Sequence, residues 1–180
     1  MNAAILENKI KSYVKDVPDF PNKGIIFKDI TPILKTIPLV DEITDAFASR
    51  YELFKIDKIA GIEARGFLFG MPLSVKMKVP FIPIRKKGKL PCDTVRSSYN
   101  LEYGATTVEM HKDALNENEN VLIVDDVLAT GGTVNASVDI IKQLKCRAVA
   151  AAFVLELSFL NGIENIKDKS VDIFSLAKYR

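Results

Sequence analysis

From Val121 to Thr133 the chain reads VLIVDDVLATGGT, an order of residue types that predicts an anion site beside a sugar site. Val121 to Val124 suit a strand in the middle of a parallel sheet, and Asp125 and Asp126 follow where such a strand is expected to leave it. In open α/β sheets that carboxyl-terminal edge is where ligands bind. Ala129, Thr130, Gly131, Gly132 and Thr133 then let backbone N–H groups approach an anion closely, and a helix starting near Thr133 would turn its positive N-terminus to the same point. The carboxylates have the wrong sign for phosphate. Their lone pairs suit the paired hydroxyls of a sugar, directly or beside a metal. The segment predicts a ribose-phosphate cradle, against the plainer alternative of a strand, a turn and a helix capped by Thr130 or Thr133.

Two cationic features stand apart from that loop. Arg85, Lys86, Lys87 and Lys89 crowd around Gly88 with no acid among them. Alone, such a run describes a solvated loop or a weak polyanion patch. Arg65 precedes Gly66; alone, that pair describes a solvated arginine beside an ordinary turn, although Gly66 would permit close backbone approach. Competing phosphate motifs fail: Gly88-Lys89 is followed by Leu90, not Ser or Thr, and no Gly-x-Gly-x-x-Gly turn occurs. With His111 the lone histidine, multi-histidine metal sites are excluded. No Gly-x-Ser-x-Gly elbow supports a hydrolase triad either, so His111 is expected to be a structural or surface residue.

The elements that must position these residues follow an α/β pattern. Ile5, Leu6, Ile10, Tyr13 and Val14 share a helical face, Ile25 to Ile33 reads as extended, and Pro38 opens a helix to about Arg50. Lys58 to Ile62, Val79 to Ile84, Val121 to Asp125 and Arg147 to Leu155 read as strands of a mainly parallel sheet, with helices near Phe67 to Lys76 and Thr133 to Leu144. Tyr99 to Tyr103 and Thr106 to Met110 bracket Gly104-Ala105 as a hairpin. The 180 residues, 48% hydrophobic with a net charge of +2, fit one domain with one sizeable core. That balance argues against disorder and against a general nucleic-acid-binding surface. The longest apolar run, Ala148 to Leu155, is too short to cross a membrane, and no leader pattern opens the chain, so a cytoplasmic protein is expected. Cys92 and Cys146 form no CxxC and are expected as reduced thiols.

With these residues in place, the chain resembles the type I phosphoribosyltransferases, whose ribose-phosphate loop has the form of Val121 to Thr133. Three further stretches narrow the resemblance to the adenine-using branch: PDFPNKGIIFKDITPIL from Pro18 to Leu34, GIEARGFLFG from Gly61 to Gly70, and RKKGKLP with SYNLEYG between Arg85 and Gly104. The resemblance spans essentially the whole chain. It implies a type I phosphoribosyltransferase fold, a central mainly parallel sheet flanked by helices, in one domain over residues 1–180, with a small N-terminal hood from about residues 1–34. It implies a purine-salvage reaction of adenine with 5-phosphoribosyl 1-diphosphate that yields AMP and diphosphate in a cytoplasmic homodimer, with neither nucleic acid nor membrane as a partner.

The same resemblance assigns roles. Arg65 stabilises the leaving diphosphate, Lys86 and Lys89 contact it, and Arg85 is linked to the neighbouring subunit's site. Leu90 to Ser98 forms a loop that closes over substrate. Glu102 is the general acid/base candidate at adenine N7, and Tyr103 packs over ribose and base. Ile26 and Phe27 sandwich the purine, main-chain groups from Ile25 to Lys28 read its edge, and Lys28 occupies a basic position. Mg2+ is expected to arrive on substrate oxygens without direct protein ligands, assisted by Asp125 and Asp126 through hydroxyls or waters. The alternatives are a phosphoribosyltransferase for hypoxanthine, xanthine or a pyrimidine, and a phosphoribosyl-diphosphate-sensing regulator. The chain shows no basic helix-turn-helix segment that would serve the latter.

Overall fold

A computed structural model describes residues 2–101 and 104–180. The chain runs through α1 (Ala3–Tyr13), β1 (Lys15–Pro18), β2 (Ile26–Asp29), α2 (Thr31–Leu34), α3 (Ile37–Tyr51), β3 (Lys58–Ile62), α4 (Gly66–Met77) and β4 (Phe81–Lys86). It continues with β5 (Thr94–Leu101), β6 (Gly104–His111), β7 (Asn120–Leu128), α5 (Gly132–Gln143), β8 (Arg147–Leu157), α6 (Gly162–Asn165) and β9 (Asp172–Tyr179). Seven strands form one sheet in the order β5-β6-β4-β3-β7-β8-β9. Neighbours from β4 through β9 are parallel, and β6 is antiparallel to both β4 and β5.

Alternation along β7 explains why both sheet faces are covered. Leu122 and Val124 join Leu6, Ile10, Ile43, Phe47, Phe69 and Leu73 under α1, α3 and α4. Val121 and Ile123 join Val134, Val138 and Ile141 under α5. A strand buried on both faces needs an unbroken apolar run, as Val121 to Val124 provides. Phe47 has no exposed surface, and truncating it to Ala would cost about 3–5 kcal/mol.

Several boundaries differ from the sequence reading. The extended segment after Gly24 ends at Asp29, because Pro32 lies at the start of α2, where its missing N–H costs nothing. Ile5 is 63% exposed, while Leu6 and Ile10 carry the buried face of α1. The fourth strand runs Phe81–Lys86, so Arg85 and Lys86 end a strand and only Lys87 to Lys89 turn away from it. Leu101 stands opposite Gly104, which puts Gly104 and Ala105 in β6 instead of between the two strands. The expected closing loop also shrinks: Thr94 to Ser98 belong to β5, paired residue for residue with His111 to Thr107. The sequence reading had no counterpart to β9, whose residues pair with β8 from Asp172 onward.

Candidate active site

The cradle sits where β7 loses a neighbour. Strand β3 accompanies β7 only to the pair Gly61–Val124, whereas β8 continues beside it to the pair Leu128–Glu156. Asp125 and Asp126 thus lie inside the strand, not beyond it, yet on a stretch whose β3 side is open. The first residue of α4 fits against this stretch because it has no side chain. A Cβ on Gly66 would stand 2.5 Å from the Val124 carbonyl oxygen and 3.1 Å from Asp125 Oδ1.

The loop itself is shaped by main chain. Gly131 precedes α5 with φ 83°, and no side chain caps that helix, so neither Thr130 nor Thr133 takes up its first N–H groups. A Cβ on Gly131 would lie 2.6 Å from the Gly162 carbonyl oxygen, so conformation and space both require glycine here. Asn165 Nδ2 donates to the Thr130 carbonyl at 3.2 Å, and Asn135 Nδ2 donates to the Asn165 carbonyl at 2.9 Å. Thr133 Oγ1 donates to the Tyr99 hydroxyl at 2.8 Å, tying β5 to the cradle. Together Ser98, Tyr99, Thr130, Gly132 and Lys167 line a cleft of about 410 Å³. A larger hollow of about 630 Å³, between α1, α3 and β9, includes Glu7, Glu42 and Asp45 and lies away from these donors. The smaller cleft, not the larger hollow, adjoins the uncapped start of α5.

A cationic corner faces the same edge. Arg65 Nε donates to Asp126 Oδ2 in an ion pair, and Asp126 is 2% exposed. Burial first, and the charge of Asp126 second, push the Asp125 carboxyl well above the usual carboxylate range. The Arg85 guanidinium reaches both carboxylate oxygens of Glu63, at 3.2 and 3.4 Å, and the Lys89 carbonyl at 3.0 Å. Glu63 also accepts the Lys86 N–H at 2.9 Å. Burial opposes ionisation of Glu63, but the Lys86 N–H and the Arg85 guanidinium outweigh it and hold its carboxyl below the ordinary value.

Glu109 braces the turn from the other side. It is fully buried, and its Oε1 accepts the N–H groups of Gly88, Lys89 and Leu90 at 2.8, 3.1 and 3.1 Å. Sequence reasoning missed both Glu63 and Glu109. A signal for Glu109 existed in the pairing of β6, where it stands opposite Arg85 on one side and Arg96 on the other. His111 is structural, its Nε2 donating to the Pro91 carbonyl at 2.8 Å.

Within the segment expected as the hood, β1 and β2 form a separate two-stranded antiparallel sheet. Phe27 is half-buried and belongs to neither core; Phe20 meets its ring edge-on at 5.2 Å between centroids, and the Arg65 guanidinium carbon lies 5.4 Å from the Phe27 centroid. Ile26 is exposed. Lys28 turns to Asp16, 2.7 Å away, and lies over the Tyr179 ring. Glu102 and Tyr103 lie outside the described residues. The structure therefore joins Phe27, Arg65 and Asp126 in one chain of contacts, joins Arg85 to Lys89 through Glu63 and Glu109, and places Lys28 in a separate ion pair.

This geometry can be set beside known proteins. The model of the phosphoribosyl transferase domain matches residues 29–176. The chain belongs to the phosphoribosyltransferase family. Among its relatives, an adenine phosphoribosyltransferase from Ureaplasma parvum is 51% identical over 160 residues, covering 89% of this chain and 92% of the relative. The crystal structure of the Thermoanaerobacter pseudethanolicus adenine phosphoribosyltransferase superposes with a TM-score of 0.91 at 46% identity, covering 96% of this chain and 99% of that one. The Saccharomyces cerevisiae enzyme, solved with an imino-altritol bisphosphate and adenine, superposes at 0.90 with 37% identity, covering 96% and 99%. The fold is that of the type I phosphoribosyltransferases, with its mostly parallel seven-stranded sheet.

Proposed function

We propose that this phosphoribosyltransferase moves the 5-phosphoribosyl group from 5-phosphoribosyl 1-diphosphate to adenine, releasing diphosphate and giving AMP in purine salvage. The observation that carries this reading is the contact of Phe27 with Arg65, which sets an aromatic purine platform against the proposed diphosphate arginine at one sheet edge. At the other end of the edge, the uncapped start of α5 offers N–H groups to a 5-phosphate.

In this mechanism Ala129 to Thr133 hold the 5-phosphate, and Asp125 and Asp126 face the ribose hydroxyls. Arg65, oriented by Asp126, stabilises the charge that builds on the diphosphate as the ribose becomes oxocarbenium-like, with Lys86 and Lys89 supplying further positive charge. Glu102 exchanges the proton at adenine N7, and Tyr103 covers the ribose and base. Main-chain groups between Ile25 and Lys28 match the N6 donor and N1 acceptor, beside Ile26 and Phe27. Hypoxanthine, with an acceptor at position 6, would leave buried polar groups mismatched.

Asp125 and Asp126, adjacent on the stretch of β7 beyond its last pair with β3, are the carboxylates nearest the proposed ribose site. That donor set fits a Mg2+ held mainly by substrate oxygens, which would neutralise diphosphate charge. The same reading takes residues 1–180 as one domain, with the hood mainly from about residues 1–34. It places the protein in the cytoplasm, in keeping with the finding that no described helix is long and apolar enough to cross a membrane. A homodimer is supported by Leu68, Met71 and Val75, which expose an apolar stripe along α4 just beyond Arg65, and by the exposed Ile37 at the start of α3. Arg85 is then the residue expected at the subunit boundary.

Purified protein with Mg2+, phosphoribosyl diphosphate and one nucleobase at a time tests this reading. AMP formation from adenine with negligible product from hypoxanthine is expected; preferred turnover of hypoxanthine would overturn it.

A further inference from the structure

Glu109 carries more hydrogen bonds than a sheet needs at that position. One oxygen accepts the three successive N–H groups of Gly88, Lys89 and Leu90, and the other accepts Arg96 Nε at 2.9 Å and stands 3.4 Å from the Thr94 hydroxyl. A lone buried carboxylate would be strongly unfavourable, and here five donors compensate it. A well-packed apolar residue usually serves stability as well as a buried charge does, so the carboxylate calls for another explanation. Its partners suggest one. Three of them are the backbone of the turn that bears Lys89, and the Lys89 carbonyl is held in turn by Arg85 Nη1. The turn is thus fixed through its main chain, while among the described residues no carboxylate forms an ion pair with Lys86, Lys87 or Lys89. Gly88 adopts φ 80° in this turn, with open space around its α-carbon.

We infer that Glu109 is a positioning residue for diphosphate recognition, holding the backbone from Gly88 to Leu90 so that Lys86 and Lys89 present their ammonium groups to the leaving group. The inference rests on the diphosphate role proposed above for those lysines. In Glu109→Gln the amide still offers an oxygen to the turn, but its NH2 faces a donor, and the charge that balances the cations is gone.

Initial rates of the full chain, with phosphoribosyl diphosphate and adenine varied separately in Mg2+, test it. Glu109→Gln is expected to raise KM for phosphoribosyl diphosphate about tenfold, the scale of one charge-assisted contact, while KM for adenine stays within about twofold. Gly88→Val strains the same turn at a positive φ that a β-branched residue rarely adopts, without leaving a buried charge unpaired, and should give the same split with a modestly lowered melting midpoint; it decides the matter if Glu109→Gln does not fold. Folded variants whose two KM values are unaltered, or rise together, would overturn the inference. Lys86→Ala and Lys89→Ala separate the layers. If they raise KM for phosphoribosyl diphosphate and the two turn variants do not, the positioning role alone fails. If the lysine variants leave that KM unchanged, the diphosphate role falls and the positioning role with it.

Discussion

At Ala129 to Thr133 the groups offered to an anion are main-chain N–H donors at the start of α5, whereas at Arg65 and Arg85 to Lys89 they are side-chain cations. The two corners also differ in what keeps them in place. Gly131 shapes the first through a positive φ and an approach that no Cβ would survive. Buried or half-buried carboxylates hold the second: Asp126 on Arg65, Glu63 on Arg85, and Glu109 on the turn backbone. A backbone cradle is sensitive to volume and indifferent to nearby charge. A corner braced by carboxylates has the reverse sensitivity, and each end of the substrate should report on its own corner.

The largest effect expected is at the braced corner. Arg65→Ala should lower kcat/KM by about 10³-fold, and Asp126→Asn, which leaves Arg65 unaimed, by about 10²-fold, both read from steady-state kinetics. Arg65→Lys keeps the charge without the fork and should recover only part of the loss. Next comes the cradle, where Gly131→Val combines a strained φ with a clash and should cost about 2–3 kcal/mol in denaturant unfolding, besides weakening phosphoribosyl diphosphate binding.

The smallest effects are in the pH dependence of stability, and they carry opposite signs at the two ends. Asp125 has a raised folded pKa, so its contribution falls as pH rises above the unfolded value near about 3.9. Asp125→Asn lacks that slope, and its melting midpoint should gain on the parent as pH rises. Glu63 has a lowered folded pKa, so its stabilisation is present above about 4.3 and lost as pH falls through the folded value. The deficit of Glu63→Gln at pH 7 should therefore shrink on acidification. Parallel slopes for the two variants would erase the contrast.

The two corners were unequally legible in the sequence. The cradle is local: an apolar run, two acids and a cluster of small residues lie within Val121 to Thr133, and each type has a meaning that does not depend on distant chain. Even there, the continuation of β7 to Leu128 escaped notice, because pairing with β8 decides it. At the cationic corner the cations were visible and their partners were not. Arg65 meets Asp126 across 61 positions and Arg85 meets Glu63 across 22, separations set by the order of strands in the sheet. Glu109 alternates with the buried Val108 and Met110 and so resembles an ordinary outward-facing strand residue; its burial comes from the turn that folds over it. Phe27 belongs to neither core, and its contact with Arg65 depends on how β2 is placed against the start of α4, which no local pattern reveals.

Separate calorimetric titrations of ribose 5-phosphate and of Mg2+-diphosphate into the parent protein, Gly131→Val and Arg65→Ala test the two-corner account most directly. The account predicts a crossed result, in which Gly131→Val weakens ribose 5-phosphate by about tenfold and spares diphosphate, while Arg65→Ala does the converse. If each variant weakens both ligands alike, or the pattern is reversed, the division of the site into a backbone cradle and a carboxylate-braced cationic corner is wrong.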